Sequence, residues 1–206
     1  MNVIETELPG VLLIEPKVFG DARGWFTETF HADRYRDHGV ALSREGNQQG
    51  VPFVQDNLSR SSRGILRGMH LQQPNPQGKL VWVPDGAVFD VALDVRVGSP
   101  TFGKWVGFEL SGENHRQLWI PPGFAHGFVV TSETCLFAYK CTTLYAPADE
   151  VGVAWNDPDI GIEWPTLDVH LSAKDKVHPR LADIDHARLP VFRAREASDQ
   201  RVASSK

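Results

Sequence analysis

The sequence has little cysteine, no run of basic residues, no long apolar stretch and no internal repeat. Each absence removes a class of protein. Two cysteines in 206 residues, Cys135 and Cys141, cannot make a disulfide framework; they read as small buried hydrophobes, and a reducing cytoplasm is expected. Lys and Arg number 21 against 26 Asp and Glu, a formal charge of -5, so a nucleic-acid surface is not expected. The opening residues, Met1-Asn2-Val3-Ile4-Glu5, carry neither a cationic lead nor an apolar run, so neither a signal peptide nor a membrane span is expected. Without a repeat of 20 to 50 residues or a low-complexity linker, solenoids and tandem arrays lose support.

What is present fits one domain with its own core. A chain of this size hides roughly 70% of the surface that its unfolded form exposes, and 41% hydrophobic residues suffice for that. The boundary is expected at residue 184, with 185–206 as a polar tail too poor in apolar residues to order itself. Gly (18) and Pro (14) punctuate short runs rich in Val, Phe, Trp and Thr, the pattern of many short strands. Strands are predicted at Val11–Glu15, Trp25–Phe30, Phe53–Ser59, Leu80–Val83, Ala87–Val97, Trp105–Leu110, Gln117–Ile120, Gly127–Thr131 and Cys135–Thr143, and a helix only at Ala32–His38. The fold class is therefore all-β, a jelly-roll sandwich or barrel, with pairing of two copies through sheet edges plausible on these grounds. In Ala87–Val97 the odd-numbered residues are all apolar while Asp90, Asp94 and Arg96 lie on the other face. The first face is read as core and the second as available for chemistry.

The densest polar cluster runs from Gln55 to Gln72 and on through Gln77-Gly78-Lys79. Gln55, Asn57 and Ser59 share one strand face. Such a face is ordinarily just wetted by solvent. Arg67 and His70 alter that reading, because inward-facing Gln, Asn, Arg, His and Lys inside a barrel are costly without a polar occupant.

On these residues the sequence resembles the dTDP-4-dehydrorhamnose 3,5-epimerases, sugar-nucleotide enzymes with a cupin-like double-stranded β-helix. The motifs that carry the resemblance are Asp21-Ala22-Arg23-Gly24-Trp25-Phe26, Gly64-Ile65-Leu66-Arg67-Gly68-Met69-His70-Leu71-Gln72, Gln77-Gly78-Lys79-Leu80-Val81 and Trp119-Ile120-Pro121-Pro122-Gly123-Phe124-Ala125-His126-Gly127-Phe128. Tyr139-Lys140, Trp155-Asn156-Asp157-Pro158, Ile162-Glu163-Trp164-Pro165 and Leu171-Ser172-Ala173-Lys174-Asp175 follow in order. The resemblance implies inversion of C3 and C5 of dTDP-4-dehydro-6-deoxy-D-glucose to give dTDP-4-dehydro-L-rhamnose, without cofactor or metal, in a homodimer.

It further implies His70 as general base, paired with a carboxylate that by position is Asp175, with Asp168 as the other candidate. Neutral imidazole at pH 7 suits that task. Lys79 is implied as the partner of the charge that develops on the C4 oxygen, Tyr139 as general acid on the opposite face, and His126, supported by Asp90, as a group beside the sugar. Each has a plainer reading: a satisfied structural histidine, a snorkelling lysine, a core tyrosine beside Cys135, Phe137 and Cys141. Arg23 and Arg67 are carried over as diphosphate ligands, and Lys176 is a further candidate. Glu28, Gln55 and Asn57 match positions that contact nucleotide or sugar, and Phe26 and Trp164 offer stacking surface for thymine. One difficulty is parity: Arg67 and His70 are three apart and would point to opposite faces of a regular strand, so a bulge at Gly68 is required.

Three other functions compete. A metal-dependent cupin would need clustered ligands, yet Gln72 stands two residues after His70 and no Glu follows at ligand spacing before His126. A related enzyme could invert one carbon of a similar dTDP-sugar. A sugar-binding module without catalysis would have no use for His70, Lys79 and Tyr139 together.

Overall fold

A computed structural model describes residues 1–41 and 51–193. Its elements in order are β1 (Asn2–Glu5), β2 (Leu12–Glu15), β3 (Val18–Asp21), β4 (Gly24–Thr27), α1 (Ala32–Asp37), β5 (Gln55–Ser62), β6 (Leu66–Gln72), β7 (Lys79–Asp85), β8 (Ala87–Asp94), β9 (Trp105–Ser111), β10 (Gln117–Ile120), β11 (Phe124–Val130), β12 (Thr134–Cys141) and β13 (Glu150–Gly152). Short 3-10 turns follow at Asp175–Val177, Leu181–Asp183 and His186–Arg188. Two antiparallel sheets, ordered β1-β2-β10-β7-β12-β5 and β13-β6-β11-β8-β9, face each other, and β3 and β4 form a separate hairpin. This is the jelly roll expected from the strand pattern. No helix among the described residues is long and apolar enough to cross a membrane.

Strand alternation divides the apolar residues into three layers. Leu13, Val81, Val83, Leu118, Ile120 and Phe137 of the larger sheet meet Val88, Ala92, Leu110, Phe128 and Val130 of the smaller between the sheets. The neighbouring residues Leu12, Ile14, Leu80 and Trp119 point outward, where Tyr35 of α1 and Val40 cover them. On the outer face of the smaller sheet, Val91, Leu93, Ala125 and Val129 are covered by Trp164, Leu181, Ile184 and Leu189.

This third layer bears on two expectations. β8 buries both faces: Val91 and Leu93 lie under the C-terminal segment, while Val88, Asp90 and Ala92 face the interior, all fully buried. The order of the chain also continues past residue 184. Leu189 is buried, the backbone of Val191 bridges Val97, and the Phe192 amide donates to the Val97 carbonyl at 2.9 Å, so 185–192 dock on the domain through one apolar anchor and backbone pairing. Residues 194–206 of the expected tail lie outside the described residues.

Candidate active site

A pocket of about 660 Å³ opens at the end of the interior between the sheets. β5 contributes Gln55, Asn57 and Ser59, the polar face read from the sequence, and β6 contributes Arg67 and His70. Those two share the pocket because the β6–β11 register shifts: His70 is opposite His126 and Arg67 opposite Phe128, so three steps on β6 match two on β11. The extra residue sends both Leu66 and Met69 into the outer core and leaves Arg67 and His70 facing inward. Gly68 has φ +115°, and a Cβ there would lie 2.7 Å from the Gly127 Cα and from the His126 carbonyl oxygen. Two facing glycines thus allow the close approach that the bulge requires.

His70 Nε2 is 2.7 Å from Asp175 Oδ1. With Nε2–H donating to the carboxylate, Nδ1 is the nitrogen able to accept a proton. Asp175 is buried; burial alone would raise its carboxyl pKa, but the hydrogen bond and charge of His70 and the Ser172 hydroxyl hold it below the usual carboxylate range. Asp168, the other candidate, is exposed and takes no part in this contact.

His126 and Asp90 form a second imidazole–carboxylate pair, with Nε2 at 3.1 and 2.9 Å from the two carboxylate oxygens. Burial pushes the His126 pKa down against the opposing pull of Asp90. Lys79, first residue of β7, lines the same pocket, and its ammonium has no hydrogen bond or ion pair among the described residues. Desolvation lowers its ammonium pKa from 10.5, although Cys141, Asp90 and Glu150 pull the other way. Tyr139 continues the Cys135–Phe137 face of β12 from the core into the pocket, and burial raises its phenol pKa. The pocket therefore combines a carboxylate-oriented imidazole, a second fixed imidazole, an unpaired cation and a phenol.

At the pocket's edge, the Arg67 guanidinium donates to the Ser61 hydroxyl at 3.1 and 3.3 Å, and Gln55 Nε2 donates to Asn57 Oδ1 at 2.9 Å. Other predicted residues are not brought here by a single chain. Arg23 and Phe26 belong to the β3–β4 hairpin, their side chain and residue 89% and 67% exposed, and Glu28 pairs with Arg34. Trp164 is a correction: 8% exposed, it packs in the outer core, and its indole donates to the Trp155 carbonyl at 2.8 Å. Its alternation with apolar neighbours seats it behind the sheet, where no base can stack. Lys176 is a second correction, since it is exposed and lines no part of the pocket; Lys174 does, ion-paired with Glu150 at 2.5 Å. Glu150, whose other oxygen accepts from the Tyr145 hydroxyl at 2.9 Å, was not found from sequence. Nor was His178, which stands beside His70 and Asp175 and offers with them three potential metal-ligating atoms within 4.8 Å of one another. The Asp175-to-His178 interval of three residues was its only sequence signal.

The fold and pocket define a jelly-roll enzyme equipped for acid–base chemistry on a small polar substrate. The model of the dTDP-4-dehydrorhamnose 3,5-epimerase family matches residues 5–183. The chain is 52% identical to dTDP-4-dehydrorhamnose 3,5-epimerase of Shigella flexneri over 187 residues, 90% of this chain and 99% of that protein. It superposes with a TM-score of 0.88 on the crystal structure of dTDP-6-deoxy-D-glucose-3,5-epimerase from Legionella pneumophila in complex with dTDP-4-keto-L-rhamnose, at 50% identity, covering 94% of this chain and 99% of that one. A dTDP-4-dehydrorhamnose 3-epimerase of Streptomyces niveus is 38% identical over 187 residues, 90% of this chain and 86% of that protein. The chain belongs to the dTDP-4-dehydrorhamnose 3,5-epimerase family, and it is an isomerase of dTDP-rhamnose biosynthesis.

Proposed function

We propose that His70 removes the protons from C3 and C5 of dTDP-4-dehydro-6-deoxy-D-glucose and that Tyr139 returns protons from the opposite face of the ring. The C4 ketone makes both protons acidic. As Nδ1 of His70 takes a proton from carbon, the electron pair of the C–H bond moves onto the C4 oxygen, giving an enolate. Asp175 stabilises the imidazolium and fixes its ring. Lys79 donates to the enolate oxygen, and its lack of a counter-ion among the described residues leaves it free to do so. The enolate pair then takes the phenolic proton of Tyr139, and His70 and Tyr139 re-equilibrate with solvent. Carbon keeps its oxidation level throughout, so the reaction calls for no redox cofactor.

His126, fixed by Asp90, bonds the sugar, while Arg67, Gln55 and Asn57 hold sugar and nucleotide at the pocket's edge. Arg23, Phe26 and Glu28 reach the diphosphate and the base from a second copy in a homodimer. In favour of that pairing, the hairpin leaves Phe19, Trp25 and Phe26 each more than half exposed. Light scattering should give twice 22.9 kDa for the full chain.

The observation that carries this reading is the convergence of the His70–Asp175 pair, Lys79 and Tyr139 on one pocket. Substrate incubated in deuterated water should acquire deuterium at C3 and at C5. Label at one carbon alone would favour the narrower activity of the Streptomyces niveus relative. Absence of label at both carbons would refute the proposed chemistry.

A further inference from the structure

Beside the catalytic pair lies an imidazole that the reaction above does not use. The ring of His178 meets that of His70 edge to face, centroids 5.4 Å apart. Its Nε2 is 4.0 Å from Oδ1 of Asp175, the same oxygen that His70 contacts at 2.7 Å. The His178 side chain is 9% exposed, and neither of its ring nitrogens makes a hydrogen bond among the described residues; Nδ1 is closed off from solvent altogether. A buried imidazole left in that state is costly. The fold nevertheless makes room for it: a Cβ on Gly152 would lie 2.2 to 2.4 Å from three atoms of the His178 ring, and Gly152 is registered opposite His70.

We propose that His70, Asp175 and His178 form a binding site for a divalent transition-metal cation of the zinc class, and that the bound cation switches the enzyme off. Two imidazoles and one carboxylate are donors that suit zinc and its neighbours rather than magnesium or calcium. Ligand atoms about 2.0 to 2.1 Å from a tetrahedral ion stand about 3.4 Å from each other. The contacts of 2.7 and 4.0 Å to the shared oxygen bracket that spacing, and the three ligand atoms all lie within 4.8 Å of one another. The ammonium of Lys174, the residue before Asp175, is held by Glu150 and leaves Asp175 to its imidazole neighbours. When the cation takes the lone pair of His70 Nε2, the proton formerly on Nε2 moves to Nδ1. The nitrogen that must accept a proton from carbon is then occupied. A fourth coordination position faces the pocket, where a water completes the shell.

The loss of activity rests on His70 being the base, but binding does not, and the two are measured apart. Full-length protein freed of metal by chelation is titrated with zinc in a calorimeter, and with cobalt by its visible absorption. One ion per chain is expected. His178→Phe keeps a ring in the recess over Gly152 and removes both nitrogens; it should weaken zinc binding about tenfold to a hundredfold, and Asp175→Asn should do the same. Within each protein, the rate in chelator divided by the rate in zinc should be large for wild type and near unity for His178→Phe. The proposal is overturned if zinc binds wild type and His178→Phe equally, which would place the ion elsewhere, if wild type takes up no zinc, or if magnesium competes on equal terms. Should His70→Asn retain proton exchange, the base assignment fails while the zinc titration still decides the site.

Discussion

Replacing Lys79 by Met separates catalysis from stability. Methionine keeps an unbranched stem and removes the charge. Lys79 is a desolvated ammonium without an ion-pair partner among the described residues, so in the resting protein its charge is a cost, and it becomes useful only when negative charge develops on the substrate. Loss of one preorganised donor to an oxyanion lowers turnover about 100- to 1,000-fold, roughly 2.7 to 4 kcal/mol. Stability should move the other way, with Lys79→Met at least as stable as wild type at neutral pH. The pH dependence has a definite sign. Between the lowered pKa of Lys79 and 10.5, the unfolded chain binds more protons than the folded one, so wild type gains stability as pH rises through that window and Lys79→Met does not. The gap between them therefore narrows toward alkaline pH. Initial rates with saturating substrate and urea titrations at several pH values read both effects. Turnover close to wild type together with a loss of stability at neutral pH would refute the reasoning, and would make Lys79 a structural cation.

Gly68→Ala tests the bulge that brings Arg67 and His70 into one pocket: its Cβ would strike the Gly127 backbone at a positive φ, and a loss of about 1 to 3 kcal/mol is expected by urea unfolding. An unchanged unfolding midpoint would contradict this account of β6. Trp164→Phe should lose about 1 kcal/mol with its hydrogen bond to the Trp155 carbonyl and leave the calorimetric affinity for dTDP unaltered. A several-fold weaker dTDP affinity would return Trp164 to the nucleotide site.

Strand periodicity made most of the jelly roll legible, because side chains alternate wherever one face is wet, as Gln55, Asn57 and Ser59 do on β5. It held on β8, where the apolar face of Val91 and Leu93 is core and the face bearing Asp90 supplies the partner of His126; what the period could not show is the cover over that apolar face, the segment bearing Leu181, Ile184 and Leu189 from some ninety residues away. The same long-range packing buries Leu189, and backbone pairing joins Val191 to Val97, in a stretch that composition assigned to the tail. β1, β3 and β13 are three or four residues long, too short for a period to stand out. Within the site, the parity conflict between Arg67 and His70 pointed correctly to an irregularity at Gly68. The His70–Asp175 contact spans 105 residues and was reached by resemblance rather than spacing. Glu150 carried no local pattern and His178 only its interval of three from Asp175, since what makes them neighbours of His70 is the pairing of β13 with β6 and the turn after Asp175.

The most direct test of the two-group mechanism follows deuterium at C3 and C5 and the doubly inverted product in the same sample, for His70→Asn and Tyr139→Phe beside wild type. His70→Asn should slow exchange at both carbons about 100- to 10,000-fold. Tyr139→Phe, which deletes only a hydroxyl, should still exchange while product formation collapses, because protons leave through His70 and can return only from the face they left. Exchange in His70→Asn within about tenfold of wild type, or equal loss of exchange and inversion in Tyr139→Phe, would contradict it.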